Sequence, residues 1–275
     1  MPPERPLDAH TEAAGNFSRT AKDYDRGVRF NVDGAWRLAA AFPMGAYPRL
    51  LDVGCGTGWA AMAMVERFGC RHVTGVDPAQ GMLDVFAEKL GALEGVEVEL
   101  RAEDVVGMTV EPGSYDAVIS SMAMHWFPDR NAAAVSMARA VRPGGVVGIL
   151  CSGSGSGGEP EFRAVLTGID LPGAAEWDAG FDDVLIGITD MEGYLAHAGL
   201  DVQDVWMENR IRRTSVEAYL ERMRVVASHI FADKLSPGQL AELLGAVEAG
   251  MTAASGPRGF EYQFAKLFAV ARRPD

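Results

Sequence analysis

The sequence predicts an α/β fold built on a parallel sheet, and three observations carry that prediction. The apolar run Arg49-Leu-Leu-Asp-Val53 ends in Gly54-Cys-Gly-Thr-Gly58 before a helical pattern opens, so it reads as strand, turn and helix. Val73-Thr-Gly-Val76 follows as a second short buried strand, and strand, helix, strand implies a parallel pair. The same alternation returns downstream, where strand Tyr115–Ser120, helix Arg130–Val141 and strand Val146–Cys151 succeed one another.

Taken in order, residues 1 to about 16 are polar, Pro-containing and aperiodic, which predicts mobility until something binds, with order beginning near Phe17. A helix is expected over Asn31–Ala41, and Pro43, Gly45 and Pro48 break it, dividing an arm at 1–45 from a main domain at 46–275. Ala60–Phe68 carries a helical period, and Gly69 is placed to cap it. Val96–Leu100 alternates as a strand, then Arg101-Ala-Glu-Asp-Val105 forms a loop. Arg142-Pro-Gly-Gly145 reads as a turn, and Ser152-Gly-Ser-Gly-Ser-Gly-Gly158 as a flexible loop that could hinge a lid. Residues 189–198 read as a helix and Val202–Ile211 as a strand with Val205, Met207 and Ile211 on one face. Two amphipathic helices follow, one through Val216, Tyr219, Leu220, Met223, Val226, Ala227 and Ile230, the other through Leu240, Leu243, Leu244, Val247 and Met251. Ser236-Pro237 opens the second, and the pair is expected to pack as a helical cap at about 212–256 before a last strand at Phe260–Ala271. Glu221, Arg222 and Arg224 read as solvated, although an arginine tilted inward would bind an acid.

Composition excludes several classes. Hydrophobic residues make up 48% and charged residues 23%, and no apolar run approaches the roughly 20 residues of a membrane span. The opening Met-Pro-Pro-Glu-Arg-Pro lacks an apolar stretch behind a basic head, so a cytoplasmic protein is expected. Cys55, Cys70 and Cys151 form no metal or disulfide pattern and read as packing residues, and no metal is expected. Acids outnumber bases 38 to 25 for a net charge of −13, which opposes nucleic acid. The sequence is silent on oligomeric state.

The glycine turn carries the chemistry. Gly54, Gly56 and Gly58 admit a ligand to the backbone, and the helix that follows offers unpaired N–H groups to an anion. A dinucleotide turn requires G-x-G-x-x-G, whereas here the third glycine falls one place early and Trp59 stands at the last position. Asp52 would repel phosphate and attract an ammonium, so a ligand bearing both signs, such as an amino acid tail, fits. Asp77 follows Gly54 by 77 − 54 = 23 residues, near the spacing at which α/β nucleotide sites place an acid on the ribose. Ser121-Met-Ala-Met-His-Trp-Phe-Pro-Asp129 leaves the carboxyl end of a strand, where open parallel sheets do their chemistry. His125 there could take a proton near neutral pH.

Asp52-Val-Gly-Cys-Gly-Thr-Gly58 resembles the acid-x-G-x-G-x-G motif of class I S-adenosylmethionine-dependent methyltransferases. Phe17-Ser-Arg-Thr-Ala-Lys-Asp-Tyr-Asp25 is similar to the F-x-R-x-A-x-x-Y-D opening of the methyltransferases of biotin, ubiquinone and menaquinone synthesis, where a leading helix folds over the cofactor. Asp77-Pro-Ala-Gln-Gly-Met82 resembles D-x-S-x-x-M, with Ala79 replacing the serine, and the resemblance extends to about residue 151. It implies a Rossmann-like, doubly wound, mostly parallel seven-stranded sheet with an antiparallel strand and a helical cap. It implies that Tyr24, Asp52, Gly54, Cys55, Gly56, Gly58, Asp77, Pro78, Met82, Val105 N–H and Ser120 bind S-adenosylmethionine. Glu103 and Asp104 compete for the adenine amino group, and the 116 − 104 = 12 residues to Asp116 match the family's loop better for Asp104. Met122, His125 and Trp126 would meet a small-molecule acceptor, with His125 as base. O-methylation of a hydroxyl or carboxyl is expected, of a kind found in secondary metabolism. C- or N-methylation, a dinucleotide enzyme, and a protein that binds the cofactor without transferring methyl are the alternatives.

Overall fold

The computed structural model describes residues 7–27, 29–90, 95–156, 159–231 and 235–275. Its elements begin with α1 (Leu7–Gly27), α2 (Arg29–Ala41), β1 (Arg49–Val53), α3 (Trp59–Phe68), β2 (His72–Val76) and α4 (Gln80–Leu90). Then come β3 (Glu97–Arg101), β4 (Tyr115–Ser121), α5 (Arg130–Ala140), β5 (Val141–Ser152), α6 (Pro160–Thr167) and α7 (Ala174–Val184). The chain closes with α8 (Ile188–His197), β6 (Asp201–Thr214), α9 (Val216–Phe231), α10 (Pro237–Ala254) and β7 (Phe260–Arg272). The first helix begins at Leu7, well before Phe17, while residues 1–6 and Gly157-Gly158 of the expected hinge lie outside the described residues.

The chain divides into two compact units, one of residues 1–151, 186–206 and 267–275, the other of 152–185 and 207–266. The sheet order is β3-β2-β1-β4-β5-β7-β6. β2–β3, β1–β2, β1–β4 and β4–β5 pair in parallel. β7 is the antiparallel strand: Gly144 and Gly145 at the start of β5 bond with Arg273, whereas Gly153 past its end bonds with Ala265. The order turns back between β1 and β4, which creates the switch point at which ligands enter such sheets.

In the first unit, Leu50, Leu51, Val53, Val73, Val76 and Ala117–Ile119 are buried, as befits strands covered on both faces. α3 lays Ala60, Ala61, Ala63 and Met64 on them and ends at left-handed Gly69, whose N–H reaches the Val65 carbonyl. The Arg142–Gly145 turn is absorbed into β5 as an irregularity, since the register jumps from Tyr115↔Val141 to Ala117↔Val146.

The second unit holds α6, α7, α9 and α10 around Phe162, Leu166, Trp177, Tyr219, Leu243, Val247 and Met251. The sequence alone assigned no helix to the stretches that form α6 and α7. Arg222 departs from expectation. It turns inward, gives two hydrogen bonds to the Glu159 carboxylate (2.9 and 2.6 Å) and stacks on the Tyr219 ring, while Glu221 stays exposed. Glu159 was overlooked because only folding brings it under α9. The side chains of Arg224, Val226, Ala227 and Ile230 lie outside the described residues, and Ile211 is 62% exposed. Among the described residues no helix is long and apolar enough to cross a membrane, and no group of side chains could hold a metal.

Candidate cofactor site

β1 ends where the chain must reverse into α3, and Gly54, Gly56 and Gly58 all take positive φ there. At Gly54 a Cβ would sit 2.3 Å from the Ala123 Cβ, and at Gly58 it would sit 2.0 Å from the Phe86 ring. Close packing thus demands glycine at 54 and 58, whereas at Gly56, where a Cβ would meet nothing within 4 Å, the positive φ alone favours it. Gly54 and Cys55 donate to the Val76 carbonyl, which binds the turn to β2. At the tip of β2, Asp77 accepts from Gly56 N–H and Ala79 N–H, both at 2.9 Å. Each oxygen keeps a lone pair for a ligand hydroxyl. Burial raises the Asp77 carboxyl to about 6 against the pull of those two N–H bonds.

The cavity beside this turn has a volume of about 1010 Å³, including the part open to solvent. Of the expected residues, Tyr24, Gly54, Cys55, Gly56, Asp77, Pro78, Met82, Asp104, Val105, Met122 and Trp126 line it. Four stand behind the wall. Asp52 is fully buried and accepts from Ala61 N–H (3.0 Å) at the first turn of α3; burial lifts its carboxyl to about 7. Gly58 packs on Phe86, Ser120 is fully buried in β4, and His125 is 5% exposed. Met124–Trp126 form one 3-10 turn, in which successive side chains point about 120° apart. With Trp126 on the cavity, His125 is carried into the protein.

Residues that the sequence reading did not assign complete the wall. Phe17 packs edge-on to both Tyr24 (6.0 Å) and Trp126 (5.6 Å), and Thr57, Trp59, Ser121 and Phe127 join them. Phe17 opens the F-x-R-x-A-x-x-Y-D stretch, Thr57 lies within the glycine turn, and Ser121 and Phe127 lie within the segment that leaves β4, so each sat in a stretch already singled out. Burial first, then Asp77 and Asp25, push the Tyr24 phenol upward, so it stays a neutral hydroxyl. Met122 adopts a left-handed backbone (φ 58°) at the end of β4, a conformation that residues other than glycine hold mainly where a site requires it. Glu103 and Asp104 both reach the cavity. The Glu103 oxygens accept from Thr109 N–H and Oγ1, each at 2.7 Å, and these bonds hold its carboxyl below the usual range. Asp104 accepts from Val106 N–H (2.9 Å).

The cavity at the switch point, with a glycine cradle and a desolvated acid on the next strand, suits a ligand that carries a ribose. Comparison with known proteins agrees. Residues 50–145 match the methyltransferase domain family. The chain is 28% identical over 250 residues to trans-aconitate 2-methyltransferase of Paracidovorax citrulli, covering 87% of this chain and 92% of that one. It is 33% identical over 134 residues to malonyl-[acyl-carrier protein] O-methyltransferase of Serratia marcescens, over 49% and 50% of the two chains. The fold resembles Haemonchus contortus phosphoethanolamine N-methyltransferase 2, solved with S-adenosylhomocysteine, at a TM-score of 0.58 and 21% identity over 94% of this chain and 58% of that one. The protein is an S-adenosylmethionine-dependent methyltransferase, with S-adenosylmethionine as its cofactor.

Proposed function

We propose that the protein transfers the methyl group to a carboxylate oxygen of a small acid, forming a methyl ester. One observation carries this reading: the ionisable side chains among the described lining residues are Tyr24, Cys55, Asp77, Glu103 and Asp104, and with Asp77 and Asp104 assigned to the cofactor and Glu103 held by Thr109, no base is left among them for an acceptor that must lose a proton. A hydroxyl or protonated amine must lose a proton as it attacks, whereas a carboxylate is nucleophilic as it stands. The names of the relatives, a trans-aconitate methyltransferase and a malonyl O-methyltransferase, support an acid acceptor. When bound, S-adenosylmethionine supplies a methyl group on a sulfonium, open to in-line displacement. The protein then contributes placement. Gly54, Cys55, Gly56 and Tyr24 surround the amino acid tail, with Asp52, Gly58 and Ser120 bracing them from behind. Asp77 accepts from the ribose hydroxyls, Pro78 and Met82 flank adenine, and Asp104 with Val105 N–H takes its edge. Met122 and Trp126 face the acceptor, and His125 supports Trp126. The buried free thiols Cys55, Cys70 and Cys151 suit the reducing cytoplasm.

Methyl-labelled cofactor should label di- and tricarboxylic acids but not phenols or amines, and the product should release volatile methanol in mild alkali. An alkali-stable product would refute esterification and point to hydroxyl, nitrogen or carbon. His125→Gln should turn over within about tenfold of wild type with an unaltered pH profile, since a positioned base is worth roughly 10²–10⁴-fold. A loss of that size, with the limb near pH 6–7 gone, would make His125 the base.

At the adenine end, Asp104→Ala should weaken cofactor binding by about 1–2 kcal/mol and Glu103→Ala by under about 0.5, because Thr109 already occupies Glu103. Calorimetry decides, and the reverse order would move the adenine contact to Glu103. The net charge of −13 predicts no detectable binding to duplex DNA or tRNA at physiological salt; salt-sensitive micromolar binding would overturn that.

A further inference from the structure

α1 forms one wall of the cavity through Ala14, Phe17 and Tyr24, spaced so that they share a helical face. It is held at two points beside that wall. Near its C-terminal end, Asp25 accepts from Thr57 Oγ1 (2.6 Å) and Trp59 Nε1 (3.0 Å), the residues flanking Gly58, and forms an ion pair with Lys89 of α4. Lys89 Nζ also donates to the Thr57 carbonyl (2.9 Å) and lies 4.3 Å from the Trp59 ring centroid. Further up the helix, Ser18 Oγ accepts from Gly81 N–H (3.3 Å), where a Cβ on Gly81 would come within 2.3 Å of the Ser18 carbonyl oxygen.

We propose that Asp25 is a positioning residue, a latch that fastens α1 to the glycine turn so that cofactor and its demethylated product exchange when α1 lets go. The inference rests on the cofactor occupying this cavity. Asp25 is no part of the cavity lining, so its effect runs through the wall that α1 supplies. The fastening is polar and only partly buried, with the Asp25 and Lys89 side chains 23% and 19% exposed. Both ends regain water when it opens, which makes release reversible in a way that a buried unpaired charge would forbid. Three groups meet one carboxylate, so a single substitution removes them together.

The test is the release of labelled S-adenosylhomocysteine into excess unlabelled ligand from wild type, Asp25→Ala, Asp25→Asn and Gly81→Ala. Asp25→Ala should release at least tenfold faster and raise the KM for S-adenosylmethionine in proportion, without lowering kcat at saturating cofactor. Asp25→Asn, which keeps an acceptor for Thr57 and Trp59 but loses the pairing with Lys89, should fall between. Gly81→Ala unseats the helix elsewhere and should reproduce the effect, which keeps the test open if Asp25→Ala fails to fold. Release within twofold of wild type in folded Asp25→Ala and Gly81→Ala would overturn the latch alone. Absence of binding to wild type would overturn the cofactor assignment, and the latch with it.

Discussion

Gly58→Ala is expected to destabilise the protein by about 3 kcal/mol or more and to abolish measurable S-adenosylmethionine binding. Two costs add. The backbone φ of 87° at Gly58 is one that an alanine resists by about 1–2 kcal/mol. The new methyl would also lie 2.0 Å from the Phe86 ring, a fully buried side chain that is itself 2.9 Å from where a Cβ on Gly75 would be. The ring is wedged between two glycines and has nowhere to retreat, so overpacking adds a further 1–3 kcal/mol or so. Any relief must come from the turn, and moving the turn displaces the N–H groups proposed to hold the cofactor. Urea unfolding and calorimetric titration check the two halves. In Gly58→Ala/Phe86→Leu the packing cost should disappear while the backbone strain remains. A single variant within about 1 kcal/mol of wild type would show that the turn yields more readily than these contacts imply.

Asp77→Ala is expected to weaken cofactor binding by about 1–3 kcal/mol, roughly five- to 150-fold, by leaving the ribose without a charged acceptor and freeing Gly56 N–H. A pH dependence accompanies this. The folded carboxyl titrates near 6 against an ordinary 3.8, so between those values the native state holds more protons than the unfolded chain. Stability of the cofactor-free protein therefore falls as pH rises through that window, by on the order of 1–2 kcal/mol from this group. Asp52, raised to about 7, acts in the same sense over a window that extends higher. Cofactor affinity should run the other way. Ribose hydroxyls donate to an ionised acid, so binding strengthens from about pH 5 to 7, and Asp77→Asn should lose that limb. Unchanged affinity in a folded Asp77→Ala would remove the residue from the site.

The glycine-turn end of the cavity was legible because its requirements are local. Glycines in left-handed conformations, an acid at a strand tip and apolar runs of strand length are written in consecutive residues, and the spacing from Gly54 to Asp77 follows from one strand-helix-strand unit. The end formed by Met122 and Trp126 was less legible. Consecutive residues of a short turn compete for the cavity, and nothing in Met-His-Trp says which side chain wins; packing of Trp126 on Phe17, far upstream, settles it. Arg222 likewise read as solvated from its helix position, until Glu159 was brought beneath it.

What the sequence by itself determined is therefore the class of fold and the parallel pairing on either side of the glycine turn, since backbone sterics and hydrophobic period act over a few residues, while its resemblance to a family pointed to the cofactor. The tertiary structure alone decided which side chains face the cavity, that Asp52 and His125 stand behind its wall, and that Asp25 meets Thr57, Trp59 and Lys89. Those are outcomes of long-range packing, where a side chain's direction depends on partners that no local pattern identifies.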